Sequence, residues 1–337
     1  MASIDVERRP GIAGLGPGLV AALVVAAAAA FLADHYGGPV MLFALLLGMA
    51  MNFLGEVEKC RAGIDFAART LLRLGVALLG FRITLGEIAG LGWQPVALVV
   101  AAVTLTILVS IWIARRMGFD PLFGLLTGGA TAICGASAAL ALSAAIPKER
   151  LQQRDTAFTI MGVSILSTIA MILYPAAASL AGFGDQLSGI FIGASIHDVA
   201  QVVGAGYAIS TEAGDAATVV KLMRVAMLAP VIVAVGLFAH RRRGEGEGGE
   251  RPPILPLFVT AFLALVVLGS LLPVPELARD AGGTASRWCL VAAIAALGMK
   301  TRVGDIVEIG WKPVLLMVVE TAFIAAVPLA AIAFGWL

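Results

Sequence analysis

Hydropathy places this chain among all-α polytopic membrane proteins, with about eleven membrane segments, inverted repeats and two broken helices, discontinuous or re-entrant. Three observations carry that reading. Of the 337 residues, 60% are hydrophobic and only 13% charged, against about 25% charged in an ordinary soluble domain. Nine apolar runs approach the roughly 17–25 residues that a bilayer demands. Two further runs are apolar but interrupted by Gly, Ser and Thr. The formal net charge of +1 leaves no basic or acidic footprint for nucleic acid or an acidic protein partner. The partner that composition implies is the lipid bilayer, and the sequence allows a homodimer without requiring one.

Residues Met1–Gly14 read as a polar leader carrying Arg8 and Arg9, within one integral membrane domain spanning 1–337. The Ala/Val-rich run at 15–33 is longer than the roughly 7–15 apolar residues of a secretory signal and leads straight into more membrane segments, so it is taken as the first spanning helix. Further runs lie at 39–55, 64–82, 93–114, 157–181, 216–239, 254–272, 286–299 and 312–336. The run at 286–299 is short, which places the start of its helix within Gly282–Ser286. The interrupted segments are 122–146 and 189–210. Between 240 and 253 lies the clear linker; its sequence RRRGEGEGGERPP (Arg241–Pro253) is Gly- and Glu-rich, as flexible solvated strips are.

Under the positive-inside rule the Arg241, Arg242, Arg243 cluster is cytoplasmic. The other basic loops hold Lys59 with Arg61, Arg115 with Arg116, and Lys148 with Arg150 and Arg154. If both interrupted segments cross the membrane, the Lys148–Arg154 loop falls on the opposite side from the arginine cluster. If each enters and leaves on its own side as a broken hairpin, every basic loop becomes cytoplasmic, as does the N-terminus. Both topologies stay open, with the hairpin preferred.

Repetition points to a transporter. Gly80–Val96, GFRITLGEIAGLGWQPV, aligns without gaps on Gly298–Val314, GMKTRVGDIVEIGWKPV, with Arg82 opposite Lys300 and Glu87 opposite Asp305. In the hairpin topology the two copies face opposite sides. Inverted repeats with interrupted helices meeting near the midplane are what secondary transporters use for alternating access. A shorter echo relates Gly135, Ala136 and Ser137 to Gly193, Ala194 and Ser195. Gly-Ala-Ser strings also arise by chance in Ala-rich membrane proteins.

The stretch Gly189–Ser210, GIFIGASIHDVAQVVGAGYAIS, carries the chemistry. His197, Asp198 and Gln201 crowd an otherwise apolar segment, and polar groups at that depth survive only facing protein or a water-filled cavity. A helix broken in mid-membrane bares backbone N–H groups at the start of its second half, where the dipole adds about half a positive charge. Small residues at 135–137 and 193–195 would let an oxyanion reach those amides, as sulfate-like anions do at helix N-termini. The alternative is that they only permit tight helix packing. His197 and Gln201 share a helical face at i and i+4, with Asp198 on the flank. A histidine beside an acid suits a proton carrier, or else a buried pair that pins the hairpin in place. Lys221 and Arg224, at i and i+3 in the next helix, either neutralise Asp198 or attract the anion. Arg82 and Lys300, at helix ends, are expected to snorkel to the headgroups.

Three blocks, CGASAALALSAAI (Cys134–Ile146), GASIHDVAQVVGAG (Gly193–Gly206) and KLMRVAMLAP (Lys221–Pro230), resemble the signature blocks of the YeiH family of bacterial inner-membrane proteins. The resemblance covers nearly the whole chain. That family is labelled as sulfate exporters and is grouped with the sodium/proton antiporter and bile-acid symporter type of fold. One departure is Ala136, where relatives often have Gly. The resemblance implies a secondary transporter exporting a small inorganic or organosulfur-derived oxyanion, sulfate- or sulfite-like, and a proton-carrying His197 beside Asp198 would couple that movement to protons. It also implies a substrate site formed by Cys134, Gly135, Ala136, Ser137, Gly193, Ala194 and Ser195, and coupling groups at His197, Asp198, Gln201, Lys221 and Arg224. A sodium/proton-type antiporter of the same fold, with Asp198 binding the cation, is the alternative.

An enzyme has little to work with. HExxH, GxSxG and P-loop motifs are absent, and His35, His197 and His240 are too dispersed for a metal cage. Ser195 or Cys134 with His197 is the one nucleophile set, and Ser195 stands at an unhelpful i−2 from His197. Cys60, Cys134 and Cys289 fit neither a zinc pattern nor a disulfide framework. No metal and no cofactor is expected.

Overall fold

The computed structural model describes residues 12–36, 40–81, 83–146, 151, 153–240, 257–272, 274–301 and 311–337. The Arg241–Pro253 loop, Arg82, Lys148, Arg150 and residues 302–310 of the second repeat copy lie outside them. All regular structure among the described residues is helical.

Helices α1 (Ile12–Tyr36) and α2 (Val40–Ala50) lead through a 3₁₀ turn (Asn52–Gly55) to α3 (Glu58–Phe66). A π-helical turn (Ala67–Leu71) joins α3 to α4 (Leu72–Leu78), and the short α5 (Leu85–Gly90) precedes α6 (Gln94–Arg116). Next come α7 (Pro121–Ala132), α8 (Ala136–Ala145), α9 (Gln153–Leu180), α10 (Asp185–Ser195) and α11 (Val199–Ile209). The chain continues through α12 (Thr211–Ala226), α13 (Leu228–His240), α14 (Leu257–Leu271), α15 (Glu276–Lys300) and α16 (Trp311–Ala333). Among the described residues, six helical stretches are long and apolar enough to cross a bilayer: 14–36, 94–116, 154–180, 211–235, 276–300 and 311–333. Shorter apolar helices are α2, α11 and α14.

Local chemistry sets several boundaries. Asp120 caps α7, its Oδ1 accepting the Leu122 N–H at 2.9 Å, with Pro121 in the first turn. Ser210 caps α12, its Oγ accepting the Ala213 N–H at 3.1 Å. Helix α15 begins at Glu276, directly after Pro275, rather than within Gly282–Ser286. The length of an apolar run bounds the part in hydrocarbon, and α15 continues beyond it as a polar helix.

Small residues bring backbones together, as they do where no hydrophobic effect separates helix from lipid. A Cβ on Gly63 would lie 2.2 Å from the Leu15 carbonyl oxygen, which locks α3 onto α1. The repeat glycines occupy matching crossings. Gly298 of α15 abuts Leu45 and Gly48 of α2, while Gly80, just past α4, abuts Phe262 and Val266 of α14. Trp93 at the start of α6 meets Trp336 beyond the end of α16 edge-on, 5.7 Å between ring centroids, as aromatic residues gather at a membrane interface.

The interrupted segments fold back on themselves. Gly189 of α10 packs against Ala213 and Ala216 of α12, and Gly193 one turn on packs against Ala217 and Val220, so α10 runs parallel to α12. Gly206, near the end of α11, returns to Ala213, Gly214 and Ala217. Helix α11 is therefore antiparallel to α10, and the pair forms a hairpin with its tip at Ile196–Asp198. In the first segment, Gly124 and Gly128 of α7 step back along α6 from Ala114 to Thr106, and Gly129 faces Leu142 of α8. That hairpin has its tip at Ile133–Gly135, and its second limb packs on α13.

Gly193→Val would drive side-chain carbon into the Ala217 carbonyl oxygen, only 2.5 Å from a Cβ at that position. We expect a loss of about 2 kcal/mol or more of stability, the scale of overpacking, read as a lowered midpoint in detergent unfolding. Gly90→Ala, with nothing within 4 Å of the added carbon, serves as the control that leaves the midpoint in place.

Candidate functional site

The two hairpin tips meet at the cations of α12. Lys221 and Arg224 are fully buried, and are the eleventh and fourteenth residues of the 25-residue span Thr211–Val235, which puts them midway along it. Lys221 Nζ donates to the carbonyl oxygens of Ile133 (2.7 Å), Ile196 (3.0 Å) and His197. Arg224 donates from Nε to Ala132 (2.8 Å), from Nη1 to Gly193 (3.0 Å) and Ile196 (2.8 Å), and from Nη2 to Thr131 (2.9 Å). Thr131, Ala132 and Gly193 lie in the last turns of α7 and α10, and Ile133, Ile196 and His197 follow in the tips, where no intrahelical N–H reaches the carbonyls. Each helix C-terminus carries about half a negative charge. Two side chains thus satisfy the orphan acceptors and offset the dipoles of both helices, and the Lys221 charge also acts on Asp198.

The second limbs begin on the other side of the junction. Gly135 caps α8 with φ +64°, a conformation open to glycine at little cost. Its missing side chain leaves space that a Cβ would fill 3.5 Å from Asp198. Asp198 caps α11, its Oδ1 accepting the Val199 N–H at 2.8 Å, and its own N–H donates to Ser167 Oγ at 3.1 Å in the middle of α9. Together, α8 and α11 head away from one point, with their N-termini side by side.

A cavity of about 630 Å³ lies over these N-termini. Ala136, Ser137, Asp198 and Gln201 line its inner end, and Arg69, Arg73 and Lys300 contribute three cationic side chains. Lys300 also pairs with Asp65, so it is held by a carboxylate instead of snorkelling freely. Gln201 is fully buried; its Nε2 donates to Thr168 Oγ1 at 3.4 Å, and its Oε1 has no partner among the described residues.

The structure sorts the expected site residues into two groups. Ala136 and Ser137 stand at a helix N-terminus on the cavity, as do Asp198 and Gln201. Gly193, Ala194 and Ser195 do not: they form the last turn of α10, fully buried, with their amides inside the helix. Ser195 Oγ donates to the Phe191 carbonyl at 2.6 Å. The reason is that Asp198, three residues further on, can cap a helix and Ser195 is already inside one, so the two Gly-Ala-Ser strings end up on opposite sides of their breaks. Cys134 is buried in the first tip. His197 sits in the second tip rather than on one face with Gln201. Its Nε2 meets Thr321 Oγ1 at 2.9 Å, and Nδ1 has no partner among the described residues.

One polar cluster escaped the sequence reading. Glu320 of α16 is 1% exposed and gathers the hydroxyls of Ser110 on α6 and of Thr127 and Thr131 on α7. Its signal was available: a lone carboxylate in the apolar run VLLMVVETAFIAAV, at membrane depth. Among the described residues no group of three or more His, Cys, Asp or Glu gathers to hold a metal.

The family model described as "Conserved hypothetical protein 698" matches residues 17–317. The chain is 51% identical over 317 residues to UPF0324 membrane protein CT0845 of Chlorobaculum tepidum, covering 94% of this chain and 88% of that one. It is 53% identical over 312 residues to UPF0324 membrane protein TauZ of Paracoccus pantotrophus, covering 92% of each. The UPF0324 inner membrane protein YeiH of Escherichia coli K12 is 32% identical over 294 residues, covering 86% of this chain and 83% of that one. No solved structure matches the chain.

Removing Arg224 strands four buried carbonyl contacts. Arg224→Ala is expected to cost about 3–5 kcal/mol, the penalty of breaking a buried charged network. Arg224→Lys should recover only part, because one ammonium cannot span the same acceptors as a planar guanidinium. Reversible unfolding in mixed micelles measures both.

Proposed function

Since the chain belongs to the UPF0324 family of membrane proteins, in which YeiH is a relative, we propose that it is a secondary transporter exporting a small oxyanion. It is a multi-pass protein of the bacterial inner membrane, in line with its long apolar helices. The observation that carries the substrate reading is the cavity. Arg69 and Arg73 face it beside Lys300, whose charge Asp65 already pairs, against the carboxylate of Asp198 on its lining, and two helix N-termini open into it. Oriented amides and positive dipole ends attract a compact anion. The unpartnered Gln201 Oε1 is an acceptor, suited to a water or to the O–H of a partly protonated ion such as hydrogensulfite.

The two hairpins enter from opposite faces and meet near the midplane, the arrangement of inverted-repeat transporters. The positive-inside rule puts the Lys300 end of α15 in the cytoplasm, so the cavity is the loading side of an exporter. The exchange of partners between α2 with α15 and α4 with α14 supports a pseudo-two-fold repeat. Transport is coupled to protons in this reading.

A cation antiporter is the second reading, favoured by one fact: Asp198 is a carboxylate on the cavity at mid-span. Flux in proteoliposomes separates the two. We expect uptake of radiolabelled sulfate or sulfite that responds to a pH gradient; transport of sodium and of neither anion would replace the first reading by the second. Joint replacement of Arg69 and Arg73 by Ala should weaken anion half-saturation about tenfold, roughly 1.4 kcal/mol, while Ser137→Leu should fill the inner end of the cavity and stop flux in a protein that still folds. Ser195, packed inside α10, is the wrong position for that test.

A further inference from the structure

Glu320 lies outside the cavity and takes no part in substrate binding as described above, yet its surroundings are built for one purpose. Its carboxyl is buried between α16, α6 and α7, and its oxygens meet only hydroxyls: Ser110 Oγ and Thr127 Oγ1 (2.7 Å) at Oε1, and Thr131 Oγ1 (3.3 Å) at Oε2. Among the described residues no ion pair reaches it. Two charged or titratable groups approach from neighbouring elements. Arg224 is committed to backbone carbonyls, including that of Thr131, and His197 is bonded to Thr321, the next residue of α16.

Counting hydrogens shows what the carboxyl must hold. Ser110 Oγ has one hydrogen but two acceptor neighbours, Glu320 Oε1 and the Gly124 carbonyl oxygen at 2.6 Å. A carbonyl never donates. If the Ser110 hydrogen goes to Gly124, the hydrogen between Ser110 and Glu320 has to come from Glu320 itself. Were the carboxyl ionised, one of these two close oxygen pairs would hold no hydrogen. The O···O separations of 2.6–2.7 Å are hydrogen-bond distances, too close for oxygens spread around a bound sodium or other metal cation.

We propose that Glu320 is a membrane-embedded proton-binding residue that carries its proton in this conformation, and that discharging it couples proton movement to anion transport. The second half rests on the transporter reading; the first does not. The step is a plain ionisation: the O–H bond at Oε1 breaks, the proton leaves to water in an opened state, and the electron pair stays on the carboxylate. The ionised state needs the hydroxyls to rotate and Ser110 Oγ to draw back from the Gly124 carbonyl, with which it would no longer share a hydrogen. After release, Ser110, Thr127 and Thr131 turn their hydroxyl hydrogens to the carboxylate, and the Gly124 carbonyl keeps its intrahelical amide. The change is felt at the junction because Thr131 joins Glu320 through its hydroxyl and Arg224 through its carbonyl.

Infrared difference spectroscopy of the protein in lipid nanodiscs at neutral pH tests the first half. We expect the C=O stretch of a protonated carboxylic acid, shifted when glutamate carries carbon-13 and lost in Glu320→Gln; absence of a glutamic acid band in the wild type overturns the proposal without any variant having to fold. For the second half, the ratio of anion flux with and without a pH gradient should fall to one in Glu320→Gln. A ratio unchanged from the wild type would remove Glu320 from coupling. If the wild type moves no anion at all, the transporter reading fails, and the infrared band still decides whether Glu320 binds a proton.

Discussion

Two buried cations hold this fold's centre. Helices α7 and α10 end their ladders of hydrogen bonds halfway along a membrane span, with carbonyls that lipid cannot hydrate; each such group left alone costs several kcal/mol in hydrocarbon. Lys221 and Arg224 answer both ends at once, since Ile196 is shared by the two side chains and the rest of each set spans both tips. The consequence reaches further than stability. Because the carbonyl ends face α12, the amide ends of α8 and α11 face the other way, towards the cavity. One helix supplies the cations that close the negative side and thereby leaves the positive side facing the cavity.

The same geometry explains why so many glycines line α10, α11 and α7. A side chain of any size at Gly189, Gly193 or Gly206 would lift a hairpin limb off α12 and move the tips away from their two cations. Packing and chemistry are therefore one constraint here, and the choice between small residues for packing and small residues for binding dissolves for the second segment. In the first segment Gly135 adopts a left-handed conformation and makes room for Asp198, while Ala136 and Ser137 reach the cavity.

Much of this was legible in the residues. Polar groups in mid-membrane marked both breaks, and the spacing of Lys221 and Arg224 put them on one face. What escaped had physical causes. Which side of a break a Gly-Ala-Ser string occupies depends on the capping residue, and Asp198 displaced the start of α11 past His197. Glu320 was hidden because its helix is regular and its partners, Ser110, Thr127 and Thr131, come from about 190 to 210 positions earlier in the chain. The early start of α15 was hidden because a hydropathy run registers the bilayer, not the helix.

The account stands on two hairpins whose tips touch from opposite faces, and side-specific cysteine labelling reads that directly. In a background where Cys60, Cys134 and Cys289 are replaced, single cysteines at Asp185 and Ser210, the two ends of the α10–α11 hairpin, should react with an impermeant reagent from the outer face alone. Cysteines at Asp120 and Ala145, at the two ends of α7–α8, should react from the cytoplasmic face alone. Finding the two ends of either segment on opposite faces of the membrane would contradict the account.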